Sequence, residues 1–254
     1  MLKRYKGLLC FGLIIGLLLS DATAYAAPII PIPSINIGVE AANNPKDVAL
    51  SLQILFMLTV LTLAPSILIM MTSFTRIIVV LSFLRSALAT QQMPPNQVLI
   101  GLSLFLTFFT MSPYITQVNN NAMQPYLAGS ITQETAMTEA MKPMREFMFK
   151  QTRENDLALF VNLSEMPRPN SQDDIPSTTL IPAFVISELK TAFQIGFLIY
   201  IPFIVIDMVV ASTLMSMGMM MLPPVMISLP FKILLFILVD GWHLVIRSLV
   251  ASFN

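Results

Sequence analysis

Residues 201–236 read IPFIVIDMVVASTLMSMGMMMLPPVMISLPFKILLF. Two apolar runs flank a bend where Met215, Met217, Met219, Met220 and Met221 crowd around Gly218 and stop at Pro223-Pro224. Proline lacks an amide hydrogen and its ring clashes with the preceding turn, so this pair ends one helix and can begin another. The stretch reads as a helical hairpin with a methionine-rich bend. So many thioethers have two physical uses. They bind soft metals such as Cu(I), or they make a deformable apolar surface that closes on itself and opens around a guest.

The whole chain shares this character. Its 254 residues are 56% hydrophobic and 11% charged, with mean hydropathy +0.77, whereas soluble domains carry about a quarter charged residues. Such a composition belongs in a membrane or a large apolar assembly. Fourteen basic residues balance fourteen acidic ones, which gives no basis for a nucleic-acid partner. One His and one Cys leave little material for a metal site or a thiol nucleophile.

At the N-terminus, Lys3, Arg4 and Lys6 precede GLLCFGLIIGLLLS, and Ala24 and Ala26 follow in DATAYA. A basic head, a short apolar core and A-x-A read as a secretory signal peptide over 1–26, cleaved after Ala26. Cys10 would leave with it. Residues 27–47 are proline-spaced and expected to be extended.

Four apolar segments follow, at about 48–71, 98–116, 191–213 and 225–250, each near the roughly 20 residues of a bilayer-spanning helix. They define a first apolar hairpin over 48–116 and a second over 182–254, around a polar insert at 117–181. Pro65, Pro113, Pro202 and Pro230 fall inside the segments. The kinks free backbone carbonyls that need other partners, so such helices are expected to be covered by protein. Thr59, Thr62, Ser66, Thr107, Thr110 and Ser112 offer hydroxyls for bonds across helices.

The connection between the first two segments carries Arg76 and Arg85 and no acid, whereas 117–190 is acid-rich. By the positive-inside rule the connection is cytoplasmic and the insert lies outside. In the insert, Met137, Met141, Met144 and Met148 recur at helical spacing, and RENDLALFVNL reads as a second helix with Leu157, Phe160 and Val161 inward. SEMPRPNSQDDIPSTT reads as a loop.

No phosphate-binding, zincin or nucleophile-elbow motif occurs. His243, the single histidine, is expected to serve packing. The informative polar residues are those in apolar surroundings: Glu188, Lys190, Asp207, Lys232 and Asp240. A charge at the centre of a membrane helix costs about 2.5–3.5 kcal/mol on insertion scales, so these residues should pair or line a polar path. Asp207 lies deepest in its run. For copper, the mature chain offers no Cys and one distant His to pass the ion onward.

Residues 182–197 (PAFVISELKTAFQIGF), 201–224 (IPFIVIDMVVASTLMSMGMMMLPP) and 71–109 (MTSFTRIIVVLSFLRSALATQQMPPNQVLIGLSLFLTFF) resemble the characteristic blocks of the FliP/SctR family of type III secretion export-gate proteins. The resemblance runs from about residue 45 to the end. The signal peptide and sizeable insert favour its flagellar branch. It implies an all-α, membrane-associated fold whose kinked helical hairpins assemble into a helical oligomeric export gate. It implies no enzyme activity, no cofactor and no metal. The implied partners are FliQ-like and FliR-like subunits, further copies of the chain in a pentamer, FlhB and FlhA, and the exported flagellar proteins. The implied place is the bacterial inner membrane, on its periplasmic side within the flagellar basal body. By the same resemblance Met219, Met220 and Met221, with Met215 and Met217 nearby, form a gasket in the channel. The resemblance also implies that Glu188 and Lys232 meet across neighbouring subunits. The alternative is a small-solute membrane transporter or channel using Asp207 and the broken helices as its binding site.

Overall fold

A computed structural model of the chain describes residues 45–90, 92–164, 167–219 and 221–253. The expected signal peptide, most of the expected extended segment, and Met220 lie outside the described residues. All regular structure among the described residues is helical. One compact unit runs from Gln53 to the end.

Helix α1 (Pro45–Met70) contains Pro65 and leaves most of its described apolar side chains exposed. Its two described threonines do not reach across. Thr59 and Thr62 donate to the carbonyls of Leu55 and Leu58, one turn back, at 2.8 and 2.5 Å. Thr107 does the same onto Ser103 at 2.7 Å. Self-satisfaction of this kind is open to any helical Ser or Thr in apolar surroundings. Thr110 is the exception, meeting Ser73 at 2.6 Å.

The expected connection after the first segment is largely a helix. Helix α2 (Phe74–Ala87) buries Arg76, Ile77, Val80, Leu81, Leu84 and Ala87, a single stripe at helical spacing. It packs most extensively on helix α6 (Ser177–Ser216). A Cβ on Gly196 of α6 would stand 2.6 Å from the Phe83 ring, so the two helices approach here as closely as a missing side chain allows.

Helix α3 (Asn96–Val118) buries Leu99, Ser103, Thr107 and Met111 at every fourth position, while Phe105, Phe108 and Phe109 face outward. It passes through a π-helical turn (Asn119–Met123) into Gln124–Leu127. Helix α4 (Gln133–Gln151) starts where Thr132 caps the Thr135 amide at 3.3 Å. The methionine stripe is inward at Met141, Met144 and Met148 but leaves Met137 exposed. Helix α5 (Glu154–Leu163) sets Leu157 and Val161 against the same core, centred on Phe147, Phe184 and Phe253.

Helix α6 is 40 residues, roughly 60 Å at 1.5 Å per residue. A hydrocarbon layer is about 30 Å thick, so only part of α6 can lie in one. It starts at Ser177, well before the expected segment at 191, because its first half packs against α4 and α5. Pro182 and Pro202 are accommodated within it.

The expected last segment is broken. Helix α7 (Pro224–Leu238) and helix α8 (Gly241–Ala251) meet at 66°. Asp240 sits between them in the left-handed region at φ 48°, which a short polar side chain tolerates better than a branched one. Of the four spans expected, two helices meet the length and apolarity of a span: Asn96–Leu127 and Ser177–Ser216. The bent α7–α8 pair makes a third if taken as one.

Candidate functional site

Of the polar residues set in apolar runs, Glu188, Lys190, Asp207 and Lys232 are gathered along α6 in three clusters, while Asp240 stays exposed at the break between α7 and α8. The first surrounds Glu188, 0% exposed, and Arg76, 2% exposed. Arg76 Nε donates to Glu188 Oε2 at 2.9 Å, and its Nη2 to Oε1 of the same carboxylate. Nη2 also donates to Gln151 Oε1 at 2.9 Å, and Nη1 to Ser252 O and Oγ at 2.8 and 3.0 Å. The guanidinium thus spends all five of its donors. It also lies 4.0 Å over the Phe253 ring, while Gln151 Nε2 donates to the Phe253 carbonyl at 3.0 Å. Four elements, α2, α4, α6 and the C-terminal end of α8, converge on one cation. No buried side-chain polar atom among the described residues lacks a partner.

The sequence puts Arg76 in a connection whose charge marks the cytoplasmic side. Its burial removes it from that count. The periodicity held the signal: Arg76, Val80 and Leu84 share one face of a 3.6-residue helix.

The second cluster holds α5 against α6. Asp156, buried, accepts from Lys190 Nζ and from Ser187 Oγ at 2.8 Å. Ser187 Oγ in turn accepts the Arg153 amide at 3.0 Å. The hydrogen bond from Lys190 holds the Asp156 carboxyl below the usual carboxylate range against the opposing effect of burial. A lowered folded-state pKa adds stability above the unfolded value and loses it as pH falls through the folded one. Amide exchange in α5 should therefore accelerate as pH drops below about 4, beyond the intrinsic trend, and Asp156→Asn should abolish the excess. An Asn variant with the wild-type profile would remove Asp156 from the clamp.

The third cluster closes the hairpin. Lys232 Nζ, on α7 and 1% exposed, meets Asp207 Oδ2 of α6 at 2.6 Å. Ser228 Oγ, one turn before Lys232, donates to Asp207 Oδ1 at 2.5 Å. Lys232 also donates to the Ala87 carbonyl at 3.3 Å. Ala87 is the last residue of α2, and a helix-end carbonyl of this kind lacks an intrahelical donor. One ammonium joins three helices. The structure does not bring Glu188 and Lys232 together within the chain; each has a counter-charge of its own there.

The methionine bend lies about 12–14 Å beyond this third pair along the two legs, since α6 ends at Ser216 and α7 starts at Pro224. Helix α6 ends at Ser216, and Gly218 turns the chain at φ 74°, a conformation glycine adopts without Cβ strain. The Gly218 and Met219 amides donate back to the Met215 and Leu214 carbonyls, both at 3.0 Å, a glycine-terminated helix end. Met215, Met217, Met219 and Met221 are all exposed, Met221 to 98%. The bend therefore presents its thioethers outward from the fold. His243, expected in packing, is exposed on α8. Among the described residues no three His, Cys, Asp or Glu side chains gather to hold a metal.

The FliP family pattern matches residues 57–249. The flagellar biosynthetic protein FliP of Bacillus subtilis (strain 168) is 61% identical over 217 residues, 85% of this chain and 98% of that protein. The one from Pectobacterium carotovorum subsp. carotovorum is 53% identical over 243 residues, 96% of this chain and 92% of its own. That of Aquifex aeolicus (strain VF5) is 52% identical over 206 residues, 80% and 86% of the two chains.

Proposed function

The chain belongs to the FliP family, and we propose that it is a core subunit of the flagellar type III protein export gate. In this reading further copies, a pentamer, join FliQ-like and FliR-like subunits around a channel for unfolded flagellar proteins. FlhB and FlhA are neighbours, at the periplasmic side of the bacterial inner membrane within the basal body. Its role is a passage, not catalysis.

The observation that carries the reading is the methionine bend. An intrachain clamp holds a hairpin whose tip leaves Met215, Met217, Met219 and Met221 exposed among the described residues. Unbranched thioether side chains rotate about three bonds and fill irregular gaps. A ring of such tips can seal, then repack around a passing chain of any sequence. Large exposed apolar side chains on α3, α6 and α7 call for lipid or neighbouring subunits to cover them. The transporter alternative would need Asp207 free for solute, yet both of its carboxylate oxygens are engaged within the chain.

Replacing Met219, Met220 and Met221 together with Ala tests the gasket. Cells assembling this gate should become permeable to small ions and dyes while some export continues. A membrane as tight as wild type, with the complex intact, counts against it. Weighing the complex purified with FliQ-like and FliR-like subunits tests the copy number separately.

A further inference from the structure

Two open grooves, about 340 and 510 Å³ in volume, adjoin on the outer face of α3 and share Phe109 and Val250. The first is bordered by Glu146 and Lys150 of α4, the second by His243, Ile246 and Arg247 of α8. Lys150 and Arg247 are exposed, and neither has an ion-pair or hydrogen-bond partner among the described residues. Against these two fixed cations the grooves hold one carboxylate, Glu146. Phe105 and Phe108, both exposed, extend the apolar floor along α3.

Free cations thus stand beside apolar floor, where the apolar helices meet the polar α4. A guanidinium binds phosphate through paired N–H donors, and basic pockets between membrane helices take acidic lipid headgroups. Another apolar face of this chain supplies little to neutralise them. The acids of α3, α6, α7 and α8 and the break between the last two are Glu188, Asp207 and Asp240. The first two are consumed by Arg76 and Lys232.

We propose that the joined grooves seat one phospholipid with an anionic headgroup, its phosphate between Lys150 and Arg247 and an acyl chain along Phe109 and Phe105. The site rests on the membrane reading of the chain and is independent of the gasket. It is a place where the surrounding bilayer is bound specifically.

The complex purified from membranes and exchanged into nanodiscs of equal phosphatidylglycerol and phosphatidylcholine supplies the test. Native mass spectrometry should show phosphatidylglycerol retained in preference to phosphatidylcholine. Arg247→Gln or Lys150→Gln should lower that retention about fivefold each, and the double variant roughly thirtyfold, at unchanged protein mass. Arg247→Lys with Lys150→Arg should keep it. Equal retention of the two lipids, or an indifferent double variant, overturns the site. If the double variant does not assemble, photoactivatable phosphatidylglycerol on the wild-type complex decides. Labelling of α8 around Arg247 supports the site, and labelling confined to other segments overturns it. A Phe109→Cys variant that cross-links to a neighbouring protein chain would show the groove covered by protein, and also overturns it. Protein mass reports the assembly itself, so failure of the gate reading is read separately from failure of the lipid site.

Discussion

Glu188→Gln is expected to remove about 3–5 kcal/mol of stability, a large part of the roughly 5–15 kcal/mol that holds a typical fold. The reason lies in what remains. Arg76 would stay 2% exposed with its charge and no carboxylate, and water cannot reach it. Arg76→Ala should cost at least as much, since it strands Glu188 and leaves Ser252 and Gln151 without their donor. Arg76→Lys should recover little, because an ammonium has three donors and cannot copy the planar fork. Removing both charges, Arg76→Met with Glu188→Met, should be milder than either single loss. Thermal melting of the detergent-solubilised protein, followed by size-exclusion chromatography, reads the order directly. A Glu188→Gln protein that melts with wild type would show that the pair contributes nothing. Motility in soft agar should fall with the same ranking.

Loss of the Asp207–Lys232 clamp should be the next most severe change, with an asymmetry set by burial. Asp207→Asn leaves Lys232, 1% exposed, with the Ala87 carbonyl as its remaining partner, and should reach the full cost of about 3–5 kcal/mol for a broken buried pair. Lys232→Met leaves Asp207, which is 28% exposed and still bonded to Ser228, so its cost should fall at the lower end. Below the melting point, a loosened hairpin base should misplace the methionine bend and raise ion leak in complexes of normal mass. Reciprocal exchange separates the two ways of pairing Lys232. Asp207→Lys with Lys232→Asp should restore assembly in part if the clamp acts within the chain. Rescue of Lys232→Glu by Glu188→Lys would instead indicate the pairing across subunits that the family resemblance implies. If Lys232→Met proves worse than Asp207→Asn, burial does not set the cost and the clamp is misassigned.

Hydropathy and punctuation made much of the architecture legible. The hairpin of α6 and α7 was readable because Gly218 and Pro223-Pro224 end and restart helices through their own backbone chemistry. The methionine stripe of α4 was readable through its period, apart from Met137 at the solvent end. Helix α2 was underread. It falls in the connection between two longer apolar segments, although its apolar residues repeat at helical spacing. The break at Asp240 was missed because no proline marks it, and a left-handed residue is chosen by the packing on either side.

What the sequence determined by itself is local: which segments are apolar, where helices must stop, and which charges could not be left bare in such surroundings. Which charge meets which was decided only by the tertiary structure. Arg76 and Glu188 are 112 residues apart in the chain, and Ser187 and Asp156 are 31 apart. Burial penalises a lone charge whatever its neighbours, so the need for a partner is written in one segment. Its satisfaction depends on distance and orientation between helices, and those follow from the packing of every side chain between them.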